Sequence, residues 1–313
     1  MRRFNVANAA WSMAMALLAV ACSSAADAPG ATLPGEVGHF ADPAGAAFDY
    51  PARLAVSRGG VLFASDPRAG RVVGLAGGRA VYALDGVPGA LGLAVHGDRL
   101  YVGCRGRGSV EVYDLGTRAF VHALGSGVGQ FAMPNAVAVA SDGTVFVVDS
   151  GRDVVGVFDT AGAPTGSLGG SGSGAGQLRF PVAVAVDDRE VVVADQGNHR
   201  VQVFGRDGTF VRAFGFEIPD GVDATDGYLG GLTRAQGVAL DAERVFVLDS
   251  YHAHVQVFDR AGAPLGVVGR RGRCPTCTGL ALDLAVSPTG QLLLSDPEQR
   301  RVVSLSPTPE VTP

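Results

Sequence analysis

The chain has 313 residues, 47% of them hydrophobic and 18% charged, a balance that excludes a disordered polyelectrolyte and supplies a substantial core. Its formal charge of −5 and complete lack of lysine exclude a general affinity for nucleic acid and any lysine-based Schiff-base chemistry. Gly occurs 46 times, against about 22 at the usual frequency near 7%, and these glycines separate Val-rich runs. Many short strands joined by tight turns are expected, an all-β class.

Residues 1–21 read as an export signal: Arg2 and Arg3 form the charged start, Ala9 to Ala21 carry no charge, and the small Ala21 precedes Cys22. That apolar run is 13 residues, short of the ~20 that a membrane-crossing helix needs. The order Leu18-Ala19-Val20-Ala21-Cys22-Ser23-Ser24 resembles the bacterial lipobox. The resemblance implies lipidation at Cys22 and an exported lipoprotein of the cell envelope, sorted to the outer membrane and touching the membrane only through its lipid. Ala19 stands where the motif more often has Leu, which keeps ordinary secretion as the alternative. Without the signal, 23 arginines face 30 acids, a net charge of −7. Residues 22–35, rich in Ser, Ala, Pro and Gly, are expected to form a flexible tether. The lone Trp11 lies inside the signal, so the remaining chain has no indole platform for stacking a sugar.

From there to residue 306 one pattern recurs six times: an apolar run, a turn, a second apolar run ending in a small or acidic residue, a polar loop and a third apolar run. The second runs are Leu62 to Asp66, Leu100 to Cys104, Val145 to Asp149, Val191 to Asp195, Val245 to Asp249 and Leu292 to Asp296. Their last residues are 38, 45, 46, 54 and 47 positions apart, a period that carries several short strands and no helix-length pattern. That is the signature of propeller blades.

The best-formed unit runs from Phe180 to Val211 and contains Gln196-Gly197-Asn198-His199-Arg200 after its second strand. It closely resembles the NHL repeat, with Asn198-His199-Arg200 at the triplet that names the family, and Gly174-Ala175-Gly176-Gln177-Leu178 resembles the glycine-rich segment between its blades. The resemblance implies a six-bladed β-propeller over residues 36–306, followed by a Pro-rich tail over 307–313. The last repeat supplies only three strands, and an open sheet edge is a liability. Glu36 to Phe40 matches the end of a blade, so it is expected to complete the sixth sheet and close the ring.

In a four-stranded meander, the segment entering the first strand and the loop between the second and third strands lie on one face. The entering positions bring Arg53, Leu91, Asn135, Val182, Gln236 and Asp283 towards the channel mouth, and the loops bring Arg68, Arg105, Arg107, Arg152, His199, His252, His254 and Arg300. The candidate ligand face is accordingly Arg53, Arg68, Arg105, Asn135, Arg152, His199, Gln236, His252, Asp283 and Arg300. Arginine's planar fork suits carboxylate or phosphate, which points to an anionic ligand. Asp66, Asp149, Asp195, Asp249 and Asp296 recur at strand ends and are expected to accept bonds from the following turn, as fold elements rather than catalytic groups.

Metal chemistry finds little support in the residue inventory. NHL-fold amidating lyases place histidines around a channel zinc, and the entering positions here hold none. Asn135 and Asp283 alone are too few oxygens for calcium, which takes 6–8; the acidic loop from Glu217 to Asp226 lacks the order of an EF-hand. Cys274-Pro275-Thr276-Cys277 is followed by Thr278 rather than the His of a haem attachment, and in an oxidising compartment a local disulfide between Cys274 and Cys277 is expected. Cys104 takes the place of the recurrent Asp as a buried thiol. These readings describe a monomeric, non-catalytic scaffold with no cofactor and no metal, presenting one propeller face to a protein, peptide or glycan. The alternative is a channel-site enzyme of lyase or lactonase type using a divalent metal.

Overall fold

A computed structural model describes residues 36–40, 48–127, 129–219, 228–272 and 277–309. The signal and tether, with Cys22, lie outside the described residues, as do Asp220 to Asp226 and Cys274.

Six four-stranded antiparallel sheets form the blades of a β-propeller. Blades 1 to 5 span residues 54–85, 90–123, 134–169, 181–214 and 235–268, each a simple meander. Blade 6 takes three strands from residues 283–305, and its fourth strand is Glu36–Phe40. That strand runs antiparallel to Arg301–Leu305, with His39 opposite Val303 and Phe40 opposite Val302. The ring is thus closed by the N-terminal strand, as the repeat pattern predicts.

Burial across a blade explains the run composition. The second strands are covered on both sheet faces by neighbouring blades, so they read as continuous apolar runs rather than alternating ones; every residue of Val145–Asp149 and of Leu292–Asp296 is buried. The outermost strand of blade 3, Pro164–Gly169, is exposed at every position but Leu168 and is written in Pro, Thr, Gly and Ser. The core is divided into six wedges, one between each pair of adjacent blades. In the wedge between blades 5 and 6, Phe246 and Leu248 meet Leu284, Leu292 and Leu294. First strands touch one another in succession around the axis, blade 6 meeting blade 1. Ser295 Oγ donates to the Ala52 carbonyl at 2.8 Å across that junction.

The recurrent aspartates are fold elements with a longer reach than the following turn. Asp195 accepts the Arg179 N–H at 2.7 Å, Asp249 the Thr233 N–H at 2.7 Å, Asp149 the Met133 N–H at 2.8 Å and Asp296 the Gly279 N–H at 2.8 Å. Each carboxylate ties the end of a second strand to the segment that enters its own blade, satisfying buried N–H groups that no sheet can reach. In the linker to blade 6, Arg270–Arg271 pairs in parallel with Cys277–Thr278, and Cys277 is disulfide-bonded.

Candidate functional site

The innermost strand of every blade has one unpaired edge facing the axis, and such edges expose carbonyl and N–H groups. Strand register puts Leu91, Asn135, Val182 and Gln236 at equivalent bulged places on these edges in blades 2 to 5, while Arg53 of blade 1 and Asp283 of blade 6 stand one residue further along, opposite Ser65 and Ser295. Arg53, only 4% exposed, crosses the axis. Its guanidinium donates to the Val182 carbonyl at 2.7 Å, the Gln236 carbonyl at 3.2 Å and the Asp283 carboxylate at 3.0 Å. One side chain from blade 1 thereby caps blades 4, 5 and 6. Asp283 also accepts the Leu54 N–H at 2.9 Å. Burial pushes its carboxyl up from the ordinary range, and the Arg53 charge opposes that. Arg53 and Asp283 are therefore a plug within the ring rather than groups offered to a ligand.

Above the plug lies a cavity of about 190 Å³. Asn135 and Gln236 are in its wall. Asn135 Nδ2 donates to Ser150 Oγ at 2.6 Å, and Gln196 Nε2 donates to Gln236 Oε1 at 2.8 Å. Arg105, Arg234 and Phe180 form the rim. Arg105, Arg234 and the neighbouring Arg179 are exposed and have no carboxylate partner among the described residues. On the opposite face several arginines are paired, Arg206 with Asp142 at 2.8 Å and Arg212 with Glu190 at 2.6 Å among them. Arg105 and Arg234 give the mouth a local positive charge, whose field extends about a Debye length, ~8 Å at physiological salt.

The remaining loop candidates are held by the fold to different degrees. Arg68 lies 4.1 Å over the Tyr50 ring, and Arg152 donates to Asp149 at 3.1 Å and to the Gln130 carbonyl. His252 Nε2 is 2.9 Å from Thr233 Oγ1, and its ring stacks on buried His254. Four residues after each recurrent Asp, or after Cys104, the backbone turns left-handed in every blade: Gly70, Gly108, Asp153, His199, Ala253 and Arg300. In three blades that residue's side chain latches the next blade. Asp153 accepts the Phe180 N–H at 2.7 Å, His199 Nδ1 is 3.1 Å from the Thr233 carbonyl, and Arg300 donates to Asp49 at 2.8 Å. His199 and Arg300 are inter-blade latches. Arg105, Asn135 and Gln236 are the candidates that the structure brings together at the mouth. Arg234 and Arg179 escaped the sequence reading, and Phe180 and Gln196 were read only as parts of the repeat, because all four sit at or just outside the ends of the repeated apolar runs.

Blade 2 rearranges its buried carboxylate. Cys104 is fully buried where the other blades have Asp, and Glu111, on the third strand, accepts from Arg107 at 2.9 Å, from Ser109 Oγ at 3.1 Å and from the Tyr113 hydroxyl. The acid has moved across one strand, to the place of Gln202 in blade 4. Burial, with Glu111 nearby, pushes the Cys104 thiol up to about 12. Native protein is therefore expected to leave Cys104 unalkylated by iodoacetamide at pH 8, with reaction only after denaturation; mass spectrometry that finds it modified in the folded protein would refute this.

Six blades, an N-terminal closing strand and a plugged axis define a β-propeller whose polar face surrounds the channel mouth. Residues 178–204, in blade 4 of this six-bladed propeller, match the NHL repeat. It is 29% identical over 145 residues to Protein brain tumor of Drosophila melanogaster, covering 45% of this chain and 13% of that protein. It is 35% identical over 108 residues to the E3 ubiquitin-protein ligase NHLRC1 of Homo sapiens, covering 33% of this chain and 27% of that protein. The chain thus spans only a minor part of the length of these relatives. Among solved structures, a streptogramin B lyase has the same fold, with a TM-score of 0.60 at 9% identity over 86% of this chain and 96% of that one. A protein of unknown function from Bacteroides thetaiotaomicron superposes with a TM-score of 0.64 at 18% identity, over 87% of this chain and 73% of that one.

Proposed function

We propose that the protein is an envelope-associated binding scaffold that presents its channel-mouth face to an acidic segment of a protein or peptide, with an acidic glycan as the competing ligand. The observation that carries this reading is the pair Arg105 and Arg234 at the mouth, with Arg179 next to its Phe180, none with a carboxylate partner among the described residues, in a chain whose formal charge is −5. Relatives named as ubiquitin-protein ligases act on proteins, which supports a protein partner here. The lipobox-like Cys22 supports tethering to the envelope by lipid. Mass spectrometry of the mature N-terminus tests the tether, and any start other than acylated Cys22 removes it.

The face itself is tested with a fluorescein-labelled oligoglutamate peptide. Arg105→Glu with Arg234→Glu is expected to weaken binding about tenfold at low salt, while Arg79→Glu with Arg189→Glu on exposed positions elsewhere leaves it nearly unchanged. Equal losses in the two pairs, or no loss in either, would exclude the mouth. The competing channel-enzyme reading draws on the lyase fold likeness. It would need Asp283 for a metal, and Arg53 engages that carboxylate at 3.0 Å; stoichiometric zinc or calcium in the purified protein would reinstate it.

A further inference from the structure

On the face away from the mouth, two grooves, between blades 3 and 4 and between blades 4 and 5, are bridged by arginines from one repeat position. Arg206, immediately after the third strand of blade 4, donates to Asp142 of blade 3 at 2.8 Å and to the Asp187 carbonyl at 3.2 Å. Arg260, at the same place in blade 5, donates to Asp187 of blade 4 at 2.6 Å and to Glu190 at 2.9 Å. Strand register identifies the equivalent residues between blades 1 and 2. Gly205, Asp259 and Asp114 pair with the first residues of their second strands, so the residue that follows Asp114, Leu115, stands where Arg206 and Arg260 do. Likewise Ser57 follows Val56 as Asp187 follows Val186. Both halves of the bridge are missing there, and a cavity of about 460 Å³ opens in their place.

The cavity is amphipathic, with Ser57, Arg58, Tyr82 and His96 beside its apolar walls. Its apolar walls include Val61, Phe63, Val81, Val95 and Leu115, and its volume falls within the roughly 300–1,000 Å³ typical of ligand pockets. Tyr82 lines it and is 8% exposed, yet its hydroxyl finds no hydrogen-bond partner among the described residues. A buried hydroxyl left unsatisfied is uncommon and costly. Burial raises the Tyr82 phenol, so it remains a donor waiting for an acceptor. Arg58 is the permanently charged residue of the lining, exposed and without a carboxylate partner among the described residues.

We propose that this groove between blades 1 and 2 binds a small amphipathic anion, an apolar body against the Val, Phe and Leu walls with an acceptor for the Tyr82 hydroxyl and a charge favoured by Arg58. The site is separate from the channel mouth and does not depend on the function proposed for it. The probe is 8-anilino-1-naphthalenesulfonate, titrated by fluorescence into the full chain beside its uncharged relative N-phenyl-1-naphthylamine. Saturable one-to-one binding of the sulfonate is expected, with the neutral compound roughly tenfold weaker. Ser57→Asp with Leu115→Arg rebuilds the bridge found between blades 4 and 5 and is expected to abolish binding. Tyr82→Phe removes only the hydroxyl and should weaken the sulfonate roughly tenfold, which keeps the test decisive if the double variant does not fold. The mouth variant Arg105→Glu with Arg234→Glu should bind the sulfonate as the parent does. Unsaturable binding, equal affinity for both probes, an unaffected Tyr82→Phe variant, or loss of binding in the mouth variant would each overturn the assignment.

Discussion

Replacing Arg53 with methionine is expected to destabilise the protein by about 3–5 kcal/mol, the range found when one partner of a buried ion pair is removed. The loss has two sources. The guanidinium serves carbonyls of Val182 and Gln236, from edges that no strand covers, and it neutralises Asp283, itself 8% exposed. Methionine keeps much of the volume and removes both services. The pH dependence gives a sharper reading than the magnitude. Burial raises the Asp283 carboxyl, and Arg53 is the leading influence in the other direction. Without Arg53 the folded protein holds a proton that the unfolded chain, with an aspartate near 3.9, releases. Stability is then lost as pH rises above about 4 and through the raised folded value. Urea unfolding should therefore show the variant falling further behind the parent at pH 8 than at pH 5. Adding Asp283→Asn, which keeps an acceptor for the Leu54 N–H, should recover part of the loss and flatten that dependence. A variant with the parent's stability at both pH values would mean that the plug does not hold the ring.

What the sequence made legible, and what it hid, divides along the range of the interactions. The second strands were readable to within a residue because burial on both faces writes them as unbroken apolar runs, Val145 to Asp149 being one. The axis positions of blades 2 to 5 were readable because the repeat fixes their register, while Arg53 and Asp283 stand one residue further along in first strands whose pairing shows no register shift. Pairing between them was not: nothing in the chain announces that Arg53 reaches Val182, 129 residues away. The exchange of Cys104 for Glu111 was hidden for the same reason, since the carboxylate is recovered across a strand rather than along it. The latch position carried an overlooked signal. Gly70 and Gly108 mark a left-handed turn in two blades, and counting four residues from the other repeats' aspartates would have placed Asp153, His199 and Arg300 in that same turn. Arg179 and Arg234 left no periodic trace, as residues facing solvent from irregular segments answer to neither the helical nor the strand period.

Removal of residues 1–40 is expected to be the most damaging truncation, while removal of residues 1–33 leaves folding intact. Among the described residues Glu36–Phe40 is the N-terminal strand that joins the two ends of the ring, lying against Arg301–Leu305. Without it the last strand becomes an open edge, and Val302 and Val303, both fully or almost fully buried in the parent, belong to a sheet that has lost its outer cover. A handful of ladder bonds at about 1 kcal/mol each sets the direct loss near 5 kcal/mol, and the junction between blades 6 and 1 loses its cooperativity with the rest. Two measurements separate this from a general penalty of shortening. Thermal unfolding should be cooperative and unchanged for the chain lacking 1–33, but lowered and broadened for the chain lacking 1–40. A synthetic peptide spanning residues 34–42 should restore the shorter chain by adding a strand to the exposed edge, an ordinary mode of strand recognition. Its scrambled counterpart should not. Equal stability of the two truncations, or rescue by the scrambled peptide, would show that the ring is held by the contacts of Ala52, Leu54 and Ser295 across the first strands rather than by the closing strand.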